Sequence, residues 1–560
     1  MKQLVSTFFF LLFCSFGCLY AQDKGSELDS LRKKEEQQVD TVIFTSKYIR
    51  YTTRELLNTA TQTLPIDTSL VDFQSYSPLY QPKRPTIGLG SLGLAYRDLL
   101  FTPTKKIGFD AGFHALDHYL LTQNDIKYYR ARSPYTELYY VNGSLQEQVF
   151  RVTHSQNIKP NCNRIGSQGF YANQDADHLN AALFTWYESP GKRYNLLANA
   201  LFNTIKAGEN GSTTNDSIFS SGSSFRKDAE IVRLRETGPK RPRQTWKQKS
   251  FFLKQYYYIG RMDSLKTDSF DRQILPTQRV SHSITYNMDK YKFFRNEEDI
   301  AGALPDISVP DSLITNDSTI VNNLRNEFTY SFYLRGKTVG FLKNEVKLDL
   351  GLQHDLYHYE QKAYKDNFQN ITLKAGIGYR FSDRVNIEAD LQQIAQGRNA
   401  GDFLYQANTN FLLSKSLGRI VLSAYSQNKS PEQMYERVDY QFHKWDKSFK
   451  RTKTNNLSFL YENPKIQLTA KAEYFLMDNY LYYRETDTPR QIAPAQFGNN
   501  INLLRLSLGK NFKLGHFHLD NYVVYQKTDY QDILLTPEVY TYHSFYYNSL
   551  LFKVLNTYLG

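Results

Sequence analysis

Cysteine is nearly absent: the 560 residues hold three, and Cys14 and Cys18 fall in the first 18 positions. Once such a leader is removed only Cys162 remains, which excludes an intrachain disulfide framework and leaves Cys162 a turn or strand residue. Tryptophan is as scarce, with 3 against 43 Tyr and 37 Phe. After the leader no run of about 18 apolar residues occurs. Mean hydropathy is −0.55, so no transmembrane helix is available. No G-x-S-x-G elbow is present, which removes a common setting for a nucleophilic serine, and His154-Ser155 places its two polar side chains on opposite faces of a strand.

The leader itself is informative. Lys2 is followed by the apolar run Leu4 to Leu19 and then Tyr20-Ala21-Gln22, the three parts of a secretory signal with cleavage after Ala21. A lipoprotein reading would modify Cys18, but Ser15 and Phe16 stand where a leucine and a small residue are expected. Loss of Lys2 with the signal lowers the formal charge from +12 to +11. A basic, solvated surface accounts for that charge; a basic lumen favouring anions, or loops meeting acidic lipopolysaccharide, would use it too.

What the chain has in quantity is alternation. From Ile371 to Phe381 every odd position is apolar and every even one is polar or glycine, so an extended strand there has one greasy face and one wet face. Val385 to Gln392 repeats the pattern after only Ser382-Asp383-Arg384, which predicts a hairpin. Similar runs start at Val346, Ile466 and Phe517. Many segments reach ten residues, the length needed to cross a bilayer at a tilt. Short connections are expected near Gly336 to Gly340, Ser382-Asp383, Ser416 to Gly418, Asn463-Pro464 and Lys510 to Leu514, and in the earlier hairpins at Asn142-Gly143 and Gly191-Lys192. Longer ones are expected at Gln361 to Phe368, Lys429 to Lys450 and Arg484 to Gly498, with outer inserts at Ile205 to Gln248 and Asn296 to Asn322. Ser224 to Glu236 could add a short helix with a solvated charged face.

These features predict an all-β fold: a large antiparallel transmembrane β-barrel of roughly 18 to 24 strands, an even number when complete, with an N-terminal periplasmic extension. Residues 1–21 form the signal, 22–85 the extension and 86–560 the barrel. The extension either enters the lumen in part or is a free linker. The last residues, Asn556 to Gly560, read as the beginning of a strand, so the chain is expected to be a fragment lacking its closing strands.

Chemical motifs carry little. Gly88 to Gly93 spells G-x-G-x-x-G, but Pro82 and Pro85 precede it and no helix follows, so close backbone packing is the better reading than a nucleotide site. The pairs His114/His118 and His354/His358 are four residues apart, about 13 Å along a strand, too far for one metal ion. His516 and His518 could share one, with Asp520 the only further ligand in reach; lumen-facing polar residues are the plainer reading of all three pairs. Arg241-Pro242-Arg243 with Trp246 and Lys247 lies in an expected loop of an exported chain, which argues against nucleic acid. No cofactor, metal or catalytic residue is assigned.

Several segments resemble the putative porins of Bacteroidetes outer membranes: Leu64-Pro65-Ile66-Asp67-Thr68, Tyr76 to Tyr80, Leu89 to Gly93, Tyr128-Tyr129, Ser133 to Thr136, Leu138 to Tyr140, His154 to Asn157, and Glu209-Asn210-Gly211. The resemblance implies a β-barrel porin of the cell outer membrane, not an enzyme, assembled by the barrel-assembly machinery among outer-membrane lipids and lipopolysaccharide. The first functional expectation is a water-filled channel for passive diffusion of small solutes; the second is a closed or plugged barrel with a structural or surface-interaction role. Lumen-facing candidates are Lys374, Arg380, Glu388, Asp390, Gln467, Lys471 and Glu473. Lipid-facing candidates are Leu373, Ala375, Ile377, Tyr379, Phe381, Ile466, Leu468 and Ala470.

Overall fold

The structure, a computed structural model, describes residues 49–59, 62–67, 81–131, 134–155, 159–215, 229–268, 271–305, 314–334, 345–382, 384–488, 490–551 and 555–560. The signal, Cys18, Thr68, Tyr76 to Tyr80, Ser133 and Gln156-Asn157 lie outside them. Nineteen strands close into one barrel among the described residues; consecutive strands pair antiparallel, and the odd count leaves the first and last strands, which complete the ring, running in the same direction. They run from β1 (Tyr135–Asn142) and β2 (Gln148–Ser155) to β18 (Val539–Leu551) and β19 (Leu555–Leu559). Among the described residues no helix is long and apolar enough to cross a membrane. Closure is what a lipid-facing sheet requires, because each unpaired edge group in hydrocarbon costs several kcal/mol.

Alternation sorts the side chains as the sequence predicts. In β9 (Val346–Gln361) Leu348, Leu350 and Leu352 face outward, and in β10 (Tyr364–Arg380) Leu373, Ala375 and Ile377 do the same through the pairs Leu350↔Ala375 and Leu352↔Leu373. The hairpin to β11 (Val385–Gly397) is present, with Gly376 opposite Asp390 and Gly378 opposite Glu388.

Connections also separate by rim. β5 (Tyr194–Gly208), β6 (Arg243–Asp268), β7 (Asp271–Asn296) and β8 (Ile314–Leu334) are joined at one rim by 209–242 and 297–313. The same rim carries 430–451, between β13 (Gly418–Lys429) and β14 (Thr452–Asn463), and 479–500, between β15 (Leu468–Asp478) and β16 (Ile501–Leu514). Most of the short turns lie at the opposite rim. Several expectations shift. The outer inserts are shorter than Ile205 to Gln248 and Asn296 to Asn322, because strand pairing continues to Gly208, resumes at Arg243 and resumes again at Ile314. Gln361 to Phe368 is no long loop, because β9 and β10 meet through Lys362-Ala363 and Tyr364 to Phe368 continues the strand. The turn placed at Lys510 to Leu514 falls instead at Gly515-His516. Of the segment Ser224 to Glu236, the described part holds a single 3-10 turn, Ala229–Ile231.

The barrel wall begins at Tyr135, not at residue 86. Residues 81–131 contain no alternating stretch longer than three paired residues and fold inside the barrel as a plug. Arg50–Thr52 joins them there, pairing with both Leu64–Pro65 and Tyr128–Arg130.

Plug and wall share three apolar clusters. Leu57, Ile126 and Tyr128 pack on Phe184, Leu197 and Leu201; Leu92, Leu116 and Tyr119 pack on Val149, Ile205 and Trp246; Phe101 and Ile107 pack on Phe475, Met477 and Leu503. Each large side chain buried this way contributes about 1.5–3 kcal/mol. The inner face of the barrel therefore carries apolar patches where these clusters form, and is not polar throughout as a water-filled lumen would need.

Leu350, 63% exposed on the outer face, gives a direct test of which side meets lipid. Leu350→Arg is expected to destabilise the protein by about 2–4 kcal/mol when unfolded by denaturant in phospholipid vesicles. Thr329→Arg, on the inner face two strand positions from Glu327, is expected to cost less than half as much.

Candidate functional site

The plug is held mostly by wall side chains that donate to its main-chain carbonyls. His178 and Asn180, on β4 (Ala176–Glu188), meet Gly93 O at 2.7 Å and Tyr119 O at 2.7 Å. Asn203 reaches Leu121 O at 2.9 Å, Tyr256 reaches Arg54 O at 3.1 Å and Arg279 reaches Leu57 O at 3.3 Å. Across the barrel Gln427 donates to Lys106 O at 2.6 Å and Arg505 to Phe101 O. The Gly88 to Gly93 motif is thus a packing device: Gly93 has φ +95 and a Cβ there would stand 2.4 Å from Ala176 Cβ.

Above the plug lies a cavity of about 1190 Å³, bounded by plug residues 84–117, the outer ends of β6 to β8 and the loop 430–451. Aromatic rings build its walls. Phe113 stacks on Tyr291 at 3.8 Å, Trp246 lies 4.5 Å from the same ring, and Tyr435 stacks on Tyr483 at 4.7 Å. Charged groups of both signs are interleaved, with His118 and Arg84 on Asp98 at 3.2 and 3.4 Å.

The loop 430–451 turns inward and forms part of this roof. Its one helical turn, Gln433–Glu436, donates Gln433 N–H to Asp110 O at 2.8 Å, and Gln441 N–H binds Asp317 at 3.1 Å on the wall. Side chains complete a latch between loop and plug. Lys429 Nζ lies 3.0 Å from both Asp110 and Glu432, while His114 lies 3.1 Å from Asp110, 2.9 Å from Asp117 and 3.7 Å from Glu432. Burial works against the His114 charge, but its hydrogen bonds to Asp110 and Asp117 and the surrounding carboxylates outweigh it and push the pKa up to about 10. Asp110 is held well below the usual range: burial opposes its charge, and Lys429 and His114 more than offset that. Asp110, His114 and Glu432 could present three ligand atoms to a cation, within 4.8 Å of one another. The Lys429 ammonium already bridges both carboxylates, so the cluster carries its own countercharge and acts as an ion-pair latch.

Beneath the cavity Phe109 projects from the plug into a ring cluster, 5.2 Å from Tyr357, 4.9 Å from Phe368 and 5.7 Å from Tyr359. On the short-turn side of that cluster a second vestibule of about 640 Å³, with many charged groups in its lining, opens between the plug and the wall from Tyr258 in β6 round to Arg419 in β13. The two cavities share no lining residue.

Four of the seven candidates, Lys374, Arg380, Glu388 and Asp390, come together on the inner face of β10 and β11 at this vestibule and the hollow beside it. Lys471 and Glu473 also point inward, but Glu473 is buried, bound to Lys471 at 2.8 Å and to the Arg505 that holds the plug. Gln467 lies in the turn before β15 with φ +51 and belongs to neither face. Ile466 shares that turn, while Leu468 and Ala470 face outward.

His354 and His358 share the outward parity of Leu350, so they lie outside the lumen, contrary to the lumen-facing expectation; they bind Gln369 and Asn367 across the strand pair. His114 and His118 belong to the plug, and His518 stacks on Tyr546 at 4.8 Å while His516 sits in a turn. In the Arg241 to Lys247 segment Arg241 pairs with Asp175 at 2.6 Å and Trp246 turns inward to Asp289. The roof residues Tyr435 and Phe442, and Phe109 and Phe113 in the plug, were not singled out in the sequence, because loop and plug residues carry no periodic signal.

A closed ring of paired strands with an internal plug and a roofed cavity at its long-loop rim defines a plugged β-barrel. The chain belongs to the family described as Putative porin, whose model matches residues 47–560. No curated protein matches it. Among solved structures it is similar to a protein described as copper transporter OprC, at 11% identity and TM-score 0.50, covering 74% of this chain and 65% of that one. It is also similar to the siderophore receptor PirA from Acinetobacter baumannii (9% identity, 70% and 61% covered, TM-score 0.45) and to the FrpB iron transporter from Neisseria meningitidis (10%, 74% and 66%, 0.47). The chain thus spans less than two thirds of the length of each of the three, and at these identities the likeness is one of fold.

The latch has a defined pH window. Because the folded His114 pKa is raised, its contribution is complete below about pH 6.5 and lost as pH rises through about 10; that of Asp110 is present above about pH 4. Trypsin cleavage at Lys447 and Lys450 in the loop should be slow at pH 8 and about tenfold faster in His114→Gln. Trp445 emission in the wild type should change between pH 8.5 and 11, and the change should be diminished in the variant.

Proposed function

We propose that the protein is a gated transport barrel of the outer membrane, which collects small hydrophilic solutes in its outer cavity and passes them inward when the plug or the loop 430–451 moves. It is read as a non-enzymatic transport protein, set among outer-membrane lipids and lipopolysaccharide and assembled by the barrel-assembly machinery. The observation that carries this is the pair of separate cavities, one on each side of the Phe109 ring cluster.

Passive diffusion through a permanently open lumen is the simpler mechanism for a porin. Against it stand the three apolar clusters that join plug to wall. A pore open at all times would leave those inward side chains in water, losing about 1.5–3 kcal/mol for each. Residues 50–59, 62–67 and 81–130 therefore work as a stopper within the lumen more than as a periplasmic extension, and the barrel as the conduit around it. The same closure also favours a plugged barrel acting through its outer loops, and a flux measurement separates the two.

In planar bilayers the full-length protein is expected to give rare openings, and Phe109→Ala to raise the open fraction at least fivefold by emptying the ring cluster. If both proteins stay silent while circular dichroism shows them folded, the transport reading is wrong and the loop-centred reading takes its place.

A further inference from the structure

Beside the inner vestibule a small hollow of about 180 Å³ sits against the wall of β6 to β11. It exists because one row of the sheet is made of small residues: Ser281 opposes Thr329, and Thr329 opposes Gly351. Four cations rim it, Lys254, Arg279, Lys347 and Lys374, against three carboxylates, Glu327, Asp349 and Asp390. Two of the cations are already answered, Lys374 by Glu327 at 3.0 Å and Lys347 by Asp349 at 2.7 Å.

The other two are not. Among the described residues Lys254 makes no hydrogen bond and no ion pair; its ammonium lies 5.0 Å from the centre of the Tyr256 ring. Arg279 is only 4% exposed and binds just Leu57 O and Ser331 Oγ; its Nε is buried with no acceptor at all. Its guanidinium lies 5.7 Å from the same Tyr256 ring, so the two positive groups gather at one ring with no carboxylate on either. Like charges brought this close in a partly dehydrated site repel, and an unpaired buried N–H is costly, which together favour an anionic acceptor. Asn58, from the plug, also lines the hollow and offers an amide donor.

We propose that this hollow is a binding site for a small oxyanion, a phosphate or a carboxylate, held by Lys254 and Arg279 with Asn58 closing it from the plug side. A guanidinium presents a planar fork to either oxyanion, and the volume suits one small group and not an extended chain. Because Arg279 also holds Leu57 O, the bound anion would tie wall and plug together at the inward end of the lumen.

The test is calorimetric titration of the full-length protein in detergent with inorganic phosphate and, separately, with succinate. Saturable binding of either supports the site, and which of the two binds tells phosphate from carboxylate. Lys254→Met, which breaks no hydrogen bond or ion pair and removes only the approach of the ammonium to the Tyr256 ring, is expected to weaken binding at least tenfold, and Lys254→Arg to restore most of it. Lys365→Met, at the outer rim, serves as control and should bind as the wild type does. Absence of binding by the wild type, or equal binding by a folded Lys254→Met, overturns the proposal. The readout is equilibrium binding, so it stands or falls apart from any conductance.

Discussion

A backbone in hydrocarbon has no water to bond, so every N–H and C=O that the lipid surrounds must find its partner inside the sheet. The closed ring of strands meets that constraint, and most other features follow from it. A ring of nineteen strands encloses a wide lumen, far wider than their own side chains can fill. A lumen of that size must be flooded or filled, and here the segment ahead of the first wall strand fills much of it. The polar sector that stays unfilled, along β8 to β11, is where the inner face carries glycines and charges in place of leucines.

Filling the lumen creates a second surface with its own demands. Plug backbone that is not in regular structure needs acceptors and donors, and the wall supplies them from asparagine, glutamine, histidine and arginine at inward positions. The loop 430–451 adds a lid that touches plug and wall at once, through Asp110 and Asp317. Outer cavity, ring cluster and inner vestibule, with the small hollow beside the vestibule, are thus each formed jointly by the wall and something placed inside it.

The wall was legible because its signal is local. From Ile371 to Phe381 a period of two gives strand, face and register at once, and the outward position of Leu373 and Ile377 follows from it. The plug was illegible because nothing periodic marks it, and residues 86–131 were counted as wall. A trace of it was nonetheless present. In β5, Leu196-Leu197 and Leu201-Phe202 are apolar on both faces, as are Phe475-Leu476-Met477 in β15 and Leu503-Leu504 in β16. A strand with lipid on one side and water on the other has no use for the second set, so doubled apolar faces signal a filled lumen. Glu473 was read as pore lining for the same reason: a charge at an inward position looks alike in sequence whether water or a plug carbonyl lies beyond it. The proposed anion hollow could not be read in advance, since it depends on Lys254 lacking a partner that only the register reveals.

The wall recognises the plug largely through peptide oxygens, which every amino acid carries. His178, Asn180, Asn203, Gln427 and Arg505 would each find the same acceptor whatever side chain replaced Tyr119, Leu121 or Phe101, provided the main-chain path were kept. Substitution is therefore constrained unequally on the two sides of one interface. The wall donors are fixed by what they grip, while plug residues such as Thr104 and Ala115, which line the outer cavity but belong to neither the latch nor the apolar clusters, are freer to change, so new solute preferences could arise by mutation there without loosening the stopper.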